Sequence, residues 1–156
     1  MATCTPHIFA QALLDAFKKK HDISADTLKA VFLTSSASLS VNTSDPYYTG
    51  GSGTTDLSSY EIATGTAYTG PFAVTSQSWT LASNIPTFAA DDITLALDSG
   101  GGVSTIRYIA VYNDTDANKR FIFFGDYGSD QRNDTGQFIT DWNGTSGDEI
   151  FTMTPA

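Results

Sequence analysis

Side chains that most often carry acid–base or nucleophilic chemistry at neutral pH are scarce in this chain. Its two histidines, His7 and His21, both fall in the N-terminal region. A serine or threonine elsewhere therefore has no histidine on its own β body to act as general base. Cys4 is the single cysteine. It cannot close an internal disulfide, and no obvious partner beside it would activate a thiolate. Glutamate occurs only at Glu61 and Glu149, so a glycosidase-type pair would have to be built from aspartates. There is no GxxxxGK[ST], and Gly100–Gly102 do not open a helix, so no phosphate cradle is implied. The expectation is a protein with no catalytic set, no metal and no cofactor.

Aspartate is frequent enough to raise calcium. Asp114-Thr115-Asp116-Ala117-Asn118 copies the opening D-x-D-x-N of a calcium loop. The copy stops there, because Lys119 stands where the loop needs glycine and Gly125 where it needs a bidentate glutamate. Asn and Asp bond their own neighbouring backbone, so the segment reads as a hairpin turn. Asp126, Asp130 and Asp134 read as a solvated acidic loop.

These groups must be held by the elements around them, and the strongest element is a pair of apolar runs at residues 106–112 and 120–127. In the first, Ile106, Tyr108, Ala110 and Tyr112 alternate with Arg107, Ile109 and Val111. In the second, Phe121 and Phe123 alternate with Ile122 and Phe124. Period-2 alternation puts apolar side chains on both faces, so the hairpin belongs at the centre of a β-sandwich or in a tight oligomer rather than at an exposed edge. The chain begins with a helical segment, residues 1–22. Thr5 reads as its N-cap and Pro6 as its first helical residue. Phe9, Ala12, Leu13, Ala16 and Phe17 form one apolar stripe, and Lys18, Lys19 and Lys20 close it against the negative helix end. A strand is expected at 27–34, followed by a Ser/Thr/Gly-rich loop, 35–55, read as a functional surface or a mobile arm. A helical turn capped by Asp56 follows at 56–62. Short strands at 72–75, 77–81, 85–88, 93–97, 137–142 and 150–153, with turns between them, complete the chain. The fold class is mainly β: an antiparallel β-sandwich, one domain over 1–156, with one N-terminal amphipathic α-helix.

Charge narrows the partners. Only 16% of residues are charged and the net charge is −9, so a nucleic-acid backbone would be repelled. No run is long enough to span a bilayer, and the spaced apolar positions near the start do not read as a signal peptide. A reducing cytoplasm is expected, in which the N-x-[ST] matches at Asn42, Asn113, Asn133 and Asn143 carry no meaning. Neither nucleic acid nor membrane is an expected partner.

The order of these pieces resembles a family of small tailed-phage virion proteins, the capsid decoration (cement) and minor head–tail proteins. The matching pieces are the N-terminal helix followed by DTLKAVFLTS, then DLSSYEIATGTAYTG, FAADDITLAL, the hairpin IRYIAVYNDTDANKRFIFFGDYG, and GQFITDWNGTSG. Together they cover roughly residues 9–147. The resemblance implies a jelly-roll-like sandwich assembling on the virion as a homotrimer, with the major capsid protein or another virion structural protein as partner. Its docking surface would use Phe9, Leu13, Phe17, Tyr47, Tyr48 and Trp142, each of which has core packing as its rival role. The alternative is a tail, baseplate or fibre-associated subunit that binds a host glycan by stacking sugars on Tyr47 and Tyr48. A glycan hydrolase with paired aspartates stands third.

Overall fold

The computed structural model describes residues 2–82, 84–97, 104–133, 136–142 and 149–152. The expected turn at Gly100–Gly102, Asp134 of the acidic loop and the Asn143–Gly144 strand end lie outside them. Strands β1 (Ala2–Thr3) and β2 (Thr5–Ile8) lead into helix α1 (Ala10–Phe17). There follow β3 (Leu28–Leu33), β4 (Pro46–Tyr47), β5 (Thr55–Asp56), β6 (Phe72–Ala73), β7 (Ser78–Ala82), β8 (Ile85–Ala89) and β9 (Thr94–Leu95). Strands β10 (Ser104–Asn113), β11 (Phe121–Arg132), β12 (Phe138–Asp141) and β13 (Glu149–Thr152) complete the order. Strands β2-β11-β10-β3-β6 form the central sheet, with every neighbour antiparallel. Two three-stranded sheets, β1-β12-β9 and β13-β8-β7, and a small β4-β5 pair surround it. Among the described residues the chain is thus mainly β, with several antiparallel sheets and one α-helix, as expected of a β-sandwich carrying a single helix.

The hairpin β10–β11 sits second and third in the central sheet, and both of its faces are covered. Ile109, Ala110, Val111 and Phe121–Phe124 are all buried. On one face Phe123 packs against Phe88, Trp142 and Phe151 with ring centroids 5.3–5.8 Å apart. On the same face Phe138 of β12 lies against Phe32 and Tyr127. The other face carries Tyr108, Tyr112, Phe121 and Phe124, under Phe9 and Tyr48. Each such phenylalanine contributes about 2 kcal/mol through the area it removes from water.

Simple alternation would put Phe121 and Phe123 on one face, and the structure separates them. Val111 pairs with Phe123 but Tyr112 pairs with Phe121, so two residues of β11 oppose one step of β10. This bulge turns Phe121 to the Phe124 side. Strand β11 also runs on to Arg132, through part of the stretch expected to be an acidic loop. In the turn, Asn113 Oδ1 accepts the Thr115 and Asp116 amides, and Asp116 Oδ1 accepts that of Asn118. That is the Asn/Asp turn expected from the sequence.

The N-terminal segment departs most from expectation. Residues Thr5–Ile8, expected to start the helix, form β2 and pair with Phe123–Asp126. Pro6 is tolerated because β2 is an edge strand, where a missing N–H is harmless. Helix α1 begins only after Phe9 and has no side-chain cap. Only Cys4 separates β1, which joins β12, from β2, which joins β11, so these residues tie two sheets together. Gly125 makes room for this, since a Cβ there would collide with Cys4 Sγ and crowd Ile109.

The 35–55 loop is bonded down rather than free. Tyr48 N–H donates to Lys119 O at 3.0 Å and Ser52 N–H to Asn118 O at 3.2 Å. The Tyr48 ring stacks on Tyr112 at 4.7 Å and 12°. The helical turn expected at 56–62 is a single 3-10 turn, Ser58–Tyr60, whose N-cap is Leu57 with no side-chain cap; Asp56 ends β5 one residue earlier and accepts from Ser58 N–H through Oδ1.

Candidate functional site

Helix α1 is set on the sheet by a charge as well as by apolar packing. Asp15 is 0% exposed. Its carboxylate lies 3.4 Å from both Arg120 and Lys20, and Gln11 donates to it at 3.1 Å. Arg120 also reaches Asp116 at 2.9 Å and Asp45 at 3.5 Å, so one guanidinium joins α1, the 40s loop and the hairpin turn. Breaking a buried pair leaves an uncompensated charge, so this contact fixes the rotation of α1. Ala12 and Asp15 are the buried helix residues. Leu13, Leu14 and Phe17 are consequently turned outward. The helix stops in a Schellman turn: Lys20 N–H donates to Asp15 O, Lys19 N–H to Ala16 O, and Lys19 takes a φ of 59°. The lysines therefore follow the helix rather than forming its last turn.

Between α1 and the β13-β8-β7 sheet lies a groove of about 530 Å³. Ala12, Leu13 and Ala16 line the helix side, Trp79 and Phe151 the sheet side, and Ile8 and Ile122 come from the central sheet. Lys19, His21, Asp22 and Ser24 supply its polar lining. Large apolar side chains continue beyond it. Phe17, one helical turn past Leu13, is 89% exposed, and Leu81, on the same face of β7 as Trp79, is 69% exposed. A groove flanked by such side chains is the composition of an interaction surface. No family model, no curated protein and no solved structure matches the chain. The site must therefore be read from its own residues.

The titratable and nucleophilic groups of the fold, His21 of the groove lining among them, take part in structural bonds. Cys4 is buried, donates its S–H to Trp142 O at 3.7 Å, and burial raises its pKa to about 12. The Asn113 amide donates to His21 Nδ1 at 3.1 Å and to Asp26 Oδ2 at 2.5 Å. An amide N–H can only donate, so the neutral imidazole carries its proton on Nε2. Burial lowers the His21 pKa. Glu61 accepts from Tyr48 OH at 2.7 Å and from Tyr68 OH. Burial, and then these bonds, push both phenols up. Asp114 of the calcium-like stretch pairs with Lys29 at 2.9 Å and Lys119 at 3.5 Å, and the Lys29 bond lowers its pKa. Among the described residues, no three His, Cys, Asp or Glu side chains are grouped to hold a metal ion, and no helix is long and apolar enough to cross a membrane.

The six residues expected at a docking surface divide into two sets. Phe9, Tyr48 and Trp142 are buried inside the subunit. Phe9 precedes the helix and fills the face above Phe124, Tyr48 is stacked on Tyr112, and Trp142 packs on Phe123. Leu13 lines the groove, Phe17 is exposed one helical turn beyond it, and Tyr47 is half-buried in β4. With Tyr48 covered, the Tyr47–Tyr48 pair offers no double platform for a sugar. Sequence reasoning missed Trp79 and Leu81. Their i, i+2 spacing in SWTLA was the available signal, but weak alternation hid which face it marked.

Proposed function

We propose that this chain is a non-enzymatic structural protein of a tailed-phage virion, a decoration protein that binds the assembled capsid through the α1 groove. One observation carries the reading: the two elements whose Leu13 and Trp79 line the groove, α1 and β7, also expose Phe17 and Leu81. Covering such side chains against a partner removes apolar area from water, and aromatic residues dominate the energetics of such contacts. A homotrimer repeats the contact three times on one shell, so modest sites add to tight attachment. The rigid sandwich beneath serves as scaffold, and its net charge of −9 suits the outside of a shell that holds nucleic acid. The test is co-sedimentation of the purified protein with empty shells of the phage that encodes it. Wild type is expected to pellet with the shells, and Phe17→Gln to weaken binding by roughly tenfold. Shells that leave the wild type in the supernatant would overturn the reading.

A further inference from the structure

We propose that the α1 groove takes an apolar segment of another protein whose flanks carry carboxylates; this rests on the reading of the α1 face as a docking surface. Charge complementarity selects this occupant. Lys20, Lys29, Lys119, Arg107 and Arg120 each have a carboxylate partner within the subunit. Lys18 and Lys19 have no ion pair among the described residues, and both are exposed directly after α1. Lys19 itself lines the groove. Arg132 is engaged as well, so in a chain of net charge −9 the cations without an ion pair lie where the apolar surface opens. The acidic residue of the same lining, Asp22, has one oxygen occupied by Ser24 N–H and Oγ–H. A small amphiphile inside the groove would leave Phe17 and Leu81 in water, whereas a polypeptide segment lying across it covers them. Apolar burial then supplies affinity, and the lysines select acidic flanks and reject basic ones.

The experiment selects binders from a random peptide library on the immobilised full-length protein and removes those that also bind Ala16→Trp, in which the groove is filled. The expected survivors carry large apolar residues between aspartates or glutamates. Their affinity falls roughly tenfold in the Lys18→Glu/Lys19→Glu variant and weakens as salt rises to about 0.5 M. Leu13→Asp reads the same wall if the tryptophan variant does not fold. Survivors with basic or uncharged flanks, or no peptides that the filled groove rejects, would overturn the proposal. So would light scattering that shows an oligomer dissociated by the groove variants, because the groove would then hold a second copy. The selection uses no capsid, so acidic-flanked binders without shell binding would remove the capsid reading and leave the groove's preference standing.

Discussion

The hairpin β10–β11 and helix α1 carry the two most regular apolar patterns in the chain, and the fold treats them in opposite ways. Strand side chains leave both faces of the hairpin, and each face meets aromatic cover: Phe88, Trp142 and Phe151 on one, Phe9 and Tyr48 on the other. Helix α1 has a stripe of similar composition but buries Ala12 and Asp15 and leaves Phe17 outside. The difference arises from the Asp15–Arg120 contact. A hydrophobic stripe can rotate on a sheet with gradual loss, whereas a buried carboxylate has to face its partner. Apolar periodicity therefore identifies a face, and a single charged contact decides whether that face becomes core or surface.

The largest effect that separates the two regions is expected from Phe123→Ala, which opens a cavity among Phe88, Trp142 and Phe151 and destabilises by about 4 kcal/mol in urea denaturation. Next, Arg120→Ala leaves the buried Asp15 with Lys20 and Gln11 alone and lowers stability by about 3 kcal/mol, while Asp15→Leu with Arg120→Met recovers the part due to Asp15. If the double variant is no more stable than Arg120→Ala alone, the contact does not set the helix. Tyr68→Phe removes one donor from Glu61 in the cover over β3, with an expected loss of about 2 kcal/mol in the same assay.

The Cys4 thiol adds a pH dependence. Its pKa is raised by burial from 9.0 to about 12, so between those values the folded state holds a proton that the unfolded state releases. Its stabilisation is fully present below pH 9 and declines as pH rises toward 12, by up to about 1.4 kcal/mol per pH unit for this one group. Cys4→Ala should flatten that part of the alkaline stability profile. The smallest effect closes the comparison. Phe17→Gln is expected to change stability by less than about 0.5 kcal/mol, so a large loss in its thermal melt would mean that the side chain belongs to the core.

The sequence made the hairpin, its turn and β3 legible because each is a local pattern: alternation or Asn/Asp bonding to neighbouring backbone. It did not reveal that Thr5–Ile8 would join β11. Thr5-Pro6 before an apolar stripe satisfies helix-start chemistry, and only β11, more than a hundred residues away, competes for it. The groove was half legible. Leu13 and Phe17 were visible on the stripe, whereas Trp79 and Leu81 depended on which side of β7 the core would occupy. Nothing local to residue 15 or residue 120 announced their pairing, and that pairing decided which stripe residues remained outside.

The two-sheet tie made by β1 and β2 bears on how the chain folds. Ala2 pairs with Thr140 and Ile8 with Phe123. On the ribosome, this segment emerges long before either partner exists, and contacts of such long sequence separation slow folding. Until residues near 126 have been made, β2 has no native strand to join, and β1 waits for those near 140. The sandwich is therefore sealed late, by its earliest-made residues.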